Sequence, residues 1–335
     1  MRQSQKPKAF LGVVRSARLL VNVISLIAVL SYSSALSAAE IHPKTLPTGG
    51  QVKAGNATIQ QNAASMNINQ SSRNAIINWQ QFNIGSQANV RFNQPDSTSA
   101  TLNRVLSSNP SQIMGSLSAN GRLFLINPSG IIFGAGSRVD AGGFVASTLN
   151  MNDDDFMAGR YRFNRNGSTG SILNRGTLTA TDKGYIALLA PEVRNEGVIA
   201  AQRGTVVLAA GEKVTLNFSD EELLRVAVDP ATINTLIENK HLVQADGGRV
   251  IMSASAADQL YSSVINISGE VRARGIENRE GRIFLDSSMG GETTVSGILD
   301  ASSSQGGGGS IVAAGERVLV QSGAHLTASG ATGGG

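Results

Sequence analysis

The sequence predicts an all-β fold, a right-handed parallel β-helix from which short excursions leave the rod. Three observations predict it. Beyond residue 40 the chain is rich in Gly, Asn, Ser, Val, Ile and Ala, with aromatic residues at 4% of the total, and turn signals interrupt short apolar runs every few residues. Two successive segments, ILNRGTLTATDKGYIALLAPEV from Ile172 and VRNEGVIAAQRGTVVLAAGEKV from Val193, align so that Asn174 and Asn195, like Gly176 and Gly197, are 21 residues apart. Weaker echoes follow in GGRVIMSASAADQL, NISGEVRARG, GRIFLDSSM, VSGILDASS, GGSIVAAGERVLV and SGAHLTASG. A period near 20 with two or three strands per unit is what one turn of a stacked solenoid requires.

The physics of such a rod accounts for the composition. Rungs stack about 4.8 Å apart, so each strand pairs with its equivalent above and below. Aliphatic side chains fill a narrow bore in which large rings fit poorly, and Gly and Asn suit corners with unusual backbone angles. At about 22 residues per rung, the chain after residue 39 makes roughly ten to thirteen rungs, a rod on the order of 50–60 Å long.

From the amino terminus, residues 1–18 carry Arg2, Lys6, Lys8, Arg15 and Arg18 and no acid; the apolar stretch LLVNVISLIAVL and small residues follow. This pattern predicts a signal peptide over 1–39 with an extended basic region, cleaved after Ala39. Its 12-residue apolar core is too short to span a bilayer. Without the five cations of that segment, 23 Lys and Arg face 24 Asp and Glu. The high sequence pI of 9.6 therefore belongs largely to the leader and gives no support to nucleic-acid binding. Cysteine is absent, so stability must come from a sizeable core rather than from disulfides.

Further along, Asn127-Pro128-Ser129-Gly130 has Asn, Pro and Gly at the first, second and fourth positions of a type I turn. Pro128 cannot adopt the positive φ of a tight hairpin, so the stretch predicts a corner between strands of different sheets. Two segments break the repeat. NDDDFMAGRYRF at 152–163 is expected to be a charged loop or hairpin leaving the rod. SDEELLRVAVDPATINTLIENKHLV at 219–243, with acids before an apolar-periodic stretch, is expected to form one or two short helices interrupted near Pro230. The final SGATGGG stops within a repeat, which leads us to expect that the natural protein continues beyond residue 335.

Little in the sequence points to catalysis or metal binding. His42, His241 and His325 are scattered, and no His-Glu-x-x-His spacing or Cys accompanies them. Asp153, Asp154 and Asp155 lack the spacing of a calcium loop and read as a solvated stretch. Gly-x-Ser-x-Gly and the phosphate-binding loop are absent. Parallel β-helices also host polysaccharide-degrading enzymes with clustered charged residues. Here Asp140, Asp182, Arg203 and Lys213 are isolated among small residues, so no enzyme, cofactor or metal is expected.

The stretch from about Leu46 to Met151 resembles the amino-terminal secretion domain of two-partner-secretion exoproteins, the family of filamentous haemagglutinin and the high-molecular-weight adhesins. RNAIINWQQFNI (73–84), SQIMGSLSANGRLFLINPSGI (111–131) and GGFVASTLNM (142–151) carry the resemblance. It implies a Gram-negative exoprotein that passes the inner membrane through the Sec translocon and is bound in the periplasm by a dedicated outer-membrane transporter. The chain is then threaded outward and folds as a β-helix, secreted or attached to the cell surface. The implied organisation is a secretion domain over 40–165 that caps the rod, followed by continuing repeats over 166–335 with an excursion at about 219–243.

The family motif Asn-Pro-Asn-Gly-Ile falls here on Asn127, Pro128, Ser129, Gly130 and Ile131, with Ser129 in the third place. These residues are a corner that the fold needs, a contact read by the transporter, or both. The second family motif, Asn-Pro-Asn-Leu, has no match beyond the two residues shared by Asn109-Pro110-Ser111-Gln112, which places the chain nearer the high-molecular-weight adhesin branch. Arg73, Asn74, Asn78, Trp79, Phe82 and Asn83 form the other matching motif, with Trp79 and Phe82 expected to plug the end of the core. The implied cargo is an adhesin or haemagglutinin with a host receptor or glycan as ligand. Haem or haemopexin acquisition, and a haemolysin or contact-dependent toxin, are the alternatives.

Overall fold

The structure, a computed structural model, describes residues 41–335 except 220–221, 258–261, 277–278, 289 and 335. The signal peptide and its expected cleavage after Ala39 lie outside the described residues. Residues 41–335 form one compact unit, built almost wholly of strands that pair in parallel with the rung before and the rung after.

Three faces make each rung. On the first, an inward column runs Met66, Val90, Leu117, Val139, Leu178, Ile199, Val243, Val271, Leu299 and Leu326, one residue from each of ten rungs. Most steps in that column are short, as from Leu178 to Ile199. Two are long, Val139 to Leu178 and Ile199 to Val243, because an excursion is inserted in each. The second face turns Leu123, Phe144, Ile186, Val206, Val250 and Ile283 into the same bore. Alternate residues on strands face opposite ways, so the period-two pattern of apolar residues fixes which side is core. Close stacking also needs corners without side chains. A Cβ on Gly204 would collide with the carbonyl oxygen of Gly184, and one on Gly248 with that of Gly204.

The third face carries a buried amide ladder. Asn174, Asn195 and Asn239 stand in register and are fully buried. Asn174 Nδ2 donates to Asn195 Oδ1 at 2.8 Å, Asn195 Nδ2 donates to Asn239 Oδ1 at 2.8 Å, and Asn239 Nδ2 ends the chain on the Glu270 carbonyl at 3.1 Å. Each amide both gives and accepts, which removes most of the cost of burying it. Outside this face, Arg194 bridges Glu192 and Glu238 at 2.5 and 2.8 Å, and Lys240 joins Glu238 to Glu196 at 2.9 and 3.4 Å.

At the amino-terminal end the first rung is closed by antiparallel strands. Gln51–Ala54 pairs with Asn74–Trp79, and Ala57–Asn62 pairs with Ser65–Gln70. A covered edge offers no template for another strand. Polar side chains fill the nearby corner: Thr101 Oγ1 donates to Gln70 Oε1 at 2.5 Å, and Gln94 Nε2 donates to Thr101 Oγ1 at 3.0 Å.

Both excursions differ from the sequence expectation. Residues 152–163 are neither a plain loop nor a hairpin of their own: Asp153–Met157 is a one-turn helix, and Tyr161–Asn164 is a strand. Asn152 is extended ahead of the helix and three acids occupy its first turn, where the helix dipole favours negative charge. The described residues of 219–243 form strands rather than short helices. Lys213–Ser219 and Glu222–Asp229 make an antiparallel hairpin, while Thr235–Asn239 and Leu242–Gln244 return to the rod. Val226 and Val228 alternate with Arg225, Ala227 and Asp229, and this period of two won over the helix-like acids in front of it.

The two excursions meet. Asn150–Met151, Tyr161–Asn164, Lys213–Ser219 and Glu222–Asp229 form one four-stranded antiparallel sheet, here called the overlay, lying on the outer side of the second face. Between them they bury a second core containing Ile76, Leu102, Phe124, Val145, Phe156, Tyr161, Phe163, Tyr185 and Val207. Arg104 fastens the overlay to the rod: Nη1 donates to Asp153 Oδ1 at 2.6 Å, Nη2 to the Met151 carbonyl at 2.6 Å, and Nε to Asn150 Oδ1 at 3.1 Å.

Candidate functional site

The corner at Asn127–Ile131 joins strand Ser116–Ile126 of the second face to Ile131–Phe133 of the third. Gly130 N donates to the Asn127 carbonyl at 3.1 Å, closing the β-turn, and Ser129 N donates to Asn127 Oδ1 at 3.0 Å. Gly130 has a φ of 118°, outside the range in which a side chain sits without strain. Asn127 Nδ2 donates downward to the Asn109 carbonyl and to Ser111 Oγ, both at 3.0 Å. From the rung above, Ser168 Oγ donates to the Pro128 carbonyl at 2.7 Å. Three successive rungs are thus tied through one asparagine and its turn.

Burial decides what this corner can offer a partner in the folded state. Asn127 and Ile131 are completely inaccessible, Gly130 is buried, and Pro128 and Ser129 are half-buried. Every polar atom of the Asn127 side chain has a bond within the chain. The stretch Asn109-Pro110-Ser111 lies beneath the motif, with Ser111 in register with Ile131 and Pro110 under Gly130, so the two Asn-Pro-Ser tripeptides are offset by two residues.

The other motif is placed two rungs lower. Trp79 is fully buried, meets Phe82 edge to face at 5.4 Å, and donates from Nε1 to Asn103 Oδ1 at 2.9 Å. A Cβ on Gly50 would fall 2.5 Å from the Trp79 ring, so the segment from the cap lies flat on the indole. Asn83 Oδ1 accepts from Gln112 N at 2.8 Å, and Asn74 Nδ2 donates to the Met157 carbonyl at 3.2 Å. Asn78 is half-buried, with its Oδ1 enclosed and unpaired in the chain, whereas Arg73 is exposed. The structure therefore brings Trp79 and Phe82 together at the end of the bore and leaves Arg73 outside it.

The remaining candidates do not assemble. Arg203 holds Asp182 through two bonds of 2.7 Å, and this guanidinium keeps the Asp182 carboxyl below the usual range. Asp140 lines a shallow depression with Arg91 and Thr179, while Lys213 begins the overlay hairpin. Asp153 and Asp155 are bound to Arg104 and Arg160. Among the described residues no group of three His, Cys, Asp or Glu is arranged to hold a metal ion. Sequence reasoning missed Arg104 and the Phe124–Tyr161–Phe218 cluster, in which ring centroids lie 5.0 and 5.1 Å apart. Those rings come from segments distant in the chain, and no local pattern links them.

The TPS secretion domain family model matches residues 43–301. Two proteins of Haemophilus influenzae, each named Heme/hemopexin-binding protein, are similar to the chain. One is 30% identical over 272 residues, covering 79% of this chain and 29% of its own length. The other is 29% identical over 289 residues, covering 79% and 30%. The chain thus spans about three tenths of the length of these relatives. Among solved structures, the HMW1 secretion domain from Haemophilus influenzae superposes with a TM-score of 0.78 at 32% identity, over 85% of this chain and 74% of that one. The filamentous hemagglutinin secretion domain gives a TM-score of 0.50 at 16% identity over 86% and 98%, a likeness of fold alone.

Proposed function

The chain belongs to the TPS secretion domain family, the export module of two-partner-secretion exoproteins whose partner is a cognate outer-membrane transporter, and from that premise we propose that the transporter reads the Asn127–Ile131 segment before the rod has folded. The observation that carries this reading is the complete burial of Asn127 and Ile131. A folded corner presents only the half-buried Pro128 and Ser129, whereas an unfolded chain in transit presents all five residues. The same asparagine then serves twice, first as a signal and afterwards as the tie between three rungs.

The test separates the two roles. Asn127→Ala removes three hydrogen bonds and is expected both to reduce export, leaving precursor in the periplasm, and to destabilise the folded chain. Ser129→Ala removes a hydroxyl that makes no bond within the chain, and its effect on stability should stay within about 0.5 kcal/mol. Fractionation of culture medium and periplasm after expression with the transporter would read export, and thermal melting would read folding. Normal export of Asn127→Ala, with a lowered melting temperature, would leave the corner a structural role only.

Upstream, the leader directs the chain to the Sec translocon and is removed after Ala39; amino-terminal sequencing of the secreted protein should begin at Glu40. For the cargo, an adhesin or haemagglutinin acting on a host receptor or glycan is the reading that the resemblance of the sequence motifs supports. The names of the two sequence relatives support a second one, capture of haem or haemopexin. Retention of the whole exoprotein on immobilised haemopexin, against retention on host-cell glycans, distinguishes them.

A further inference from the structure

The outward column of the second face is apolar along its whole length, but the overlay covers only part of it. Ile251, Phe284 and Val312 continue the column in register beyond Val207. Ile251 still packs partly against the overlay core, whereas Phe284 and Val312 are 40% and 45% exposed. Beside this stripe lies Glu222–Asp229, the last strand of the overlay, whose strand partner among the described residues is Lys213–Ser219 alone. An open backbone edge thus runs next to an open apolar floor.

We propose that this slot binds an extended polypeptide strand, which adds to the overlay as a fifth strand along Glu222–Asp229 and buries alternate apolar side chains on Phe284 and Val312. Backbone pairing at a free edge supplies affinity, and alternate pockets supply selectivity. Charge sets its direction. Arg282 and Asp286 flank Phe284 on its own strand, one on either side of the stripe, and Asp286 lies on the side where Pro230 follows the overlay strand. A strand antiparallel to Glu222–Asp229 enters at the Asp286 end, so it fits with a cation near its amino terminus and an acid near its carboxyl terminus. A second folded copy of this chain cannot fill the slot through its own overlay. That overlay already lies on its own rod, whose rungs would occupy the space of strands Arg282–Asp286 and Ser310–Ala314.

The probe is the synthetic peptide Lys-Thr-Val-Thr-Val-Thr-Glu, fluorescently labelled and titrated into the purified chain by anisotropy. Saturable binding is expected, weakened about tenfold or more when the peptide amides facing the edge are N-methylated, because that removes the donors while leaving the side chains. Phe284→Ser, at an exposed position, should weaken binding similarly with an unchanged circular dichroism spectrum, and the peptide with Lys and Glu exchanged should bind less well. Absence of binding would overturn the proposal. So would binding that survives both N-methylation and Phe284→Ser, since the peptide would then be held elsewhere. Sedimentation with phosphatidylcholine vesicles in place of peptide binding would assign the stripe to lipid and equally overturn it.

Discussion

The second face of the rod is one continuous sheet with two surroundings. From Ile76 to Val207 its outward residues are fully buried beneath the overlay; from Phe284 to Val312 the same column, in the same register, meets solvent. The strands do not differ in kind, since both stretches alternate inward and outward apolar residues. What differs is whether an excursion returns to cover them. The two long steps between rungs are therefore not tolerated insertions on a finished rod. They supply the upper half of a second core, tied down by Arg104 and by the rings of Phe124, Phe156, Tyr161 and Phe218.

The largest expected effect breaks that contrast directly. Phe124→Ala opens a cavity in the overlay core and should cost about 3–5 kcal/mol, while Phe284→Ala, on the bare continuation, should stay within about 1 kcal/mol. Urea unfolding of the two purified variants reads the difference. Equal costs would mean that the overlay does not hold Phe124 as described.

A middle-sized effect concerns the amide ladder, whose last rung carries Ile251 at the margin of the overlay. Asn195→Ala leaves Asn174 Nδ2 with only the Val198 carbonyl at 3.4 Å and takes from Asn239 Oδ1 its Asn195 donor. An unpaired buried polar group costs about 1–3 kcal/mol. A double-mutant cycle with Asn174→Ala should be strongly non-additive, because the first substitution already breaks the bond between them. Additive losses would show that the ladder is not one network.

The smallest effect is on pH. The bond from Arg175 holds the Glu196 carboxyl below its ordinary value, as Arg203 holds that of Asp182. Both folded values are lowered, so the stabilisation they give is present above the unfolded carboxylate range near pH 4 and is lost as pH falls through the lower folded values. These groups lie at the surface, where salt weakens them further. Acid titration of the melting temperature should show a modest, salt-sensitive decline below about pH 4. The gap between Phe124→Ala and Phe284→Ala should persist throughout, because it rests on apolar packing.

Much of the rod was legible residue by residue. Asn174 and Asn195, spaced one rung apart, turned out to be bonded neighbours in register, and the Asn127–Gly130 turn could be read from its Asn, Pro and Gly. The excursions were legible only as interruptions. The acids at 219–222 resemble a helix start, and nothing local tells Val226 and Val228 that a sheet lies ready to receive them.

The sequence by itself determined the repeat, the inward face and the corners, because alternation, rung spacing and turn chemistry act over two to about twenty residues. Only the tertiary structure decided which outward residues became a second core and that Asn127 would be sealed from solvent. Those outcomes depend on strands from distant rungs pairing with one another, and the free energy of burying Phe124 or Tyr185 exists only once Tyr161 and Phe218 have arrived above them.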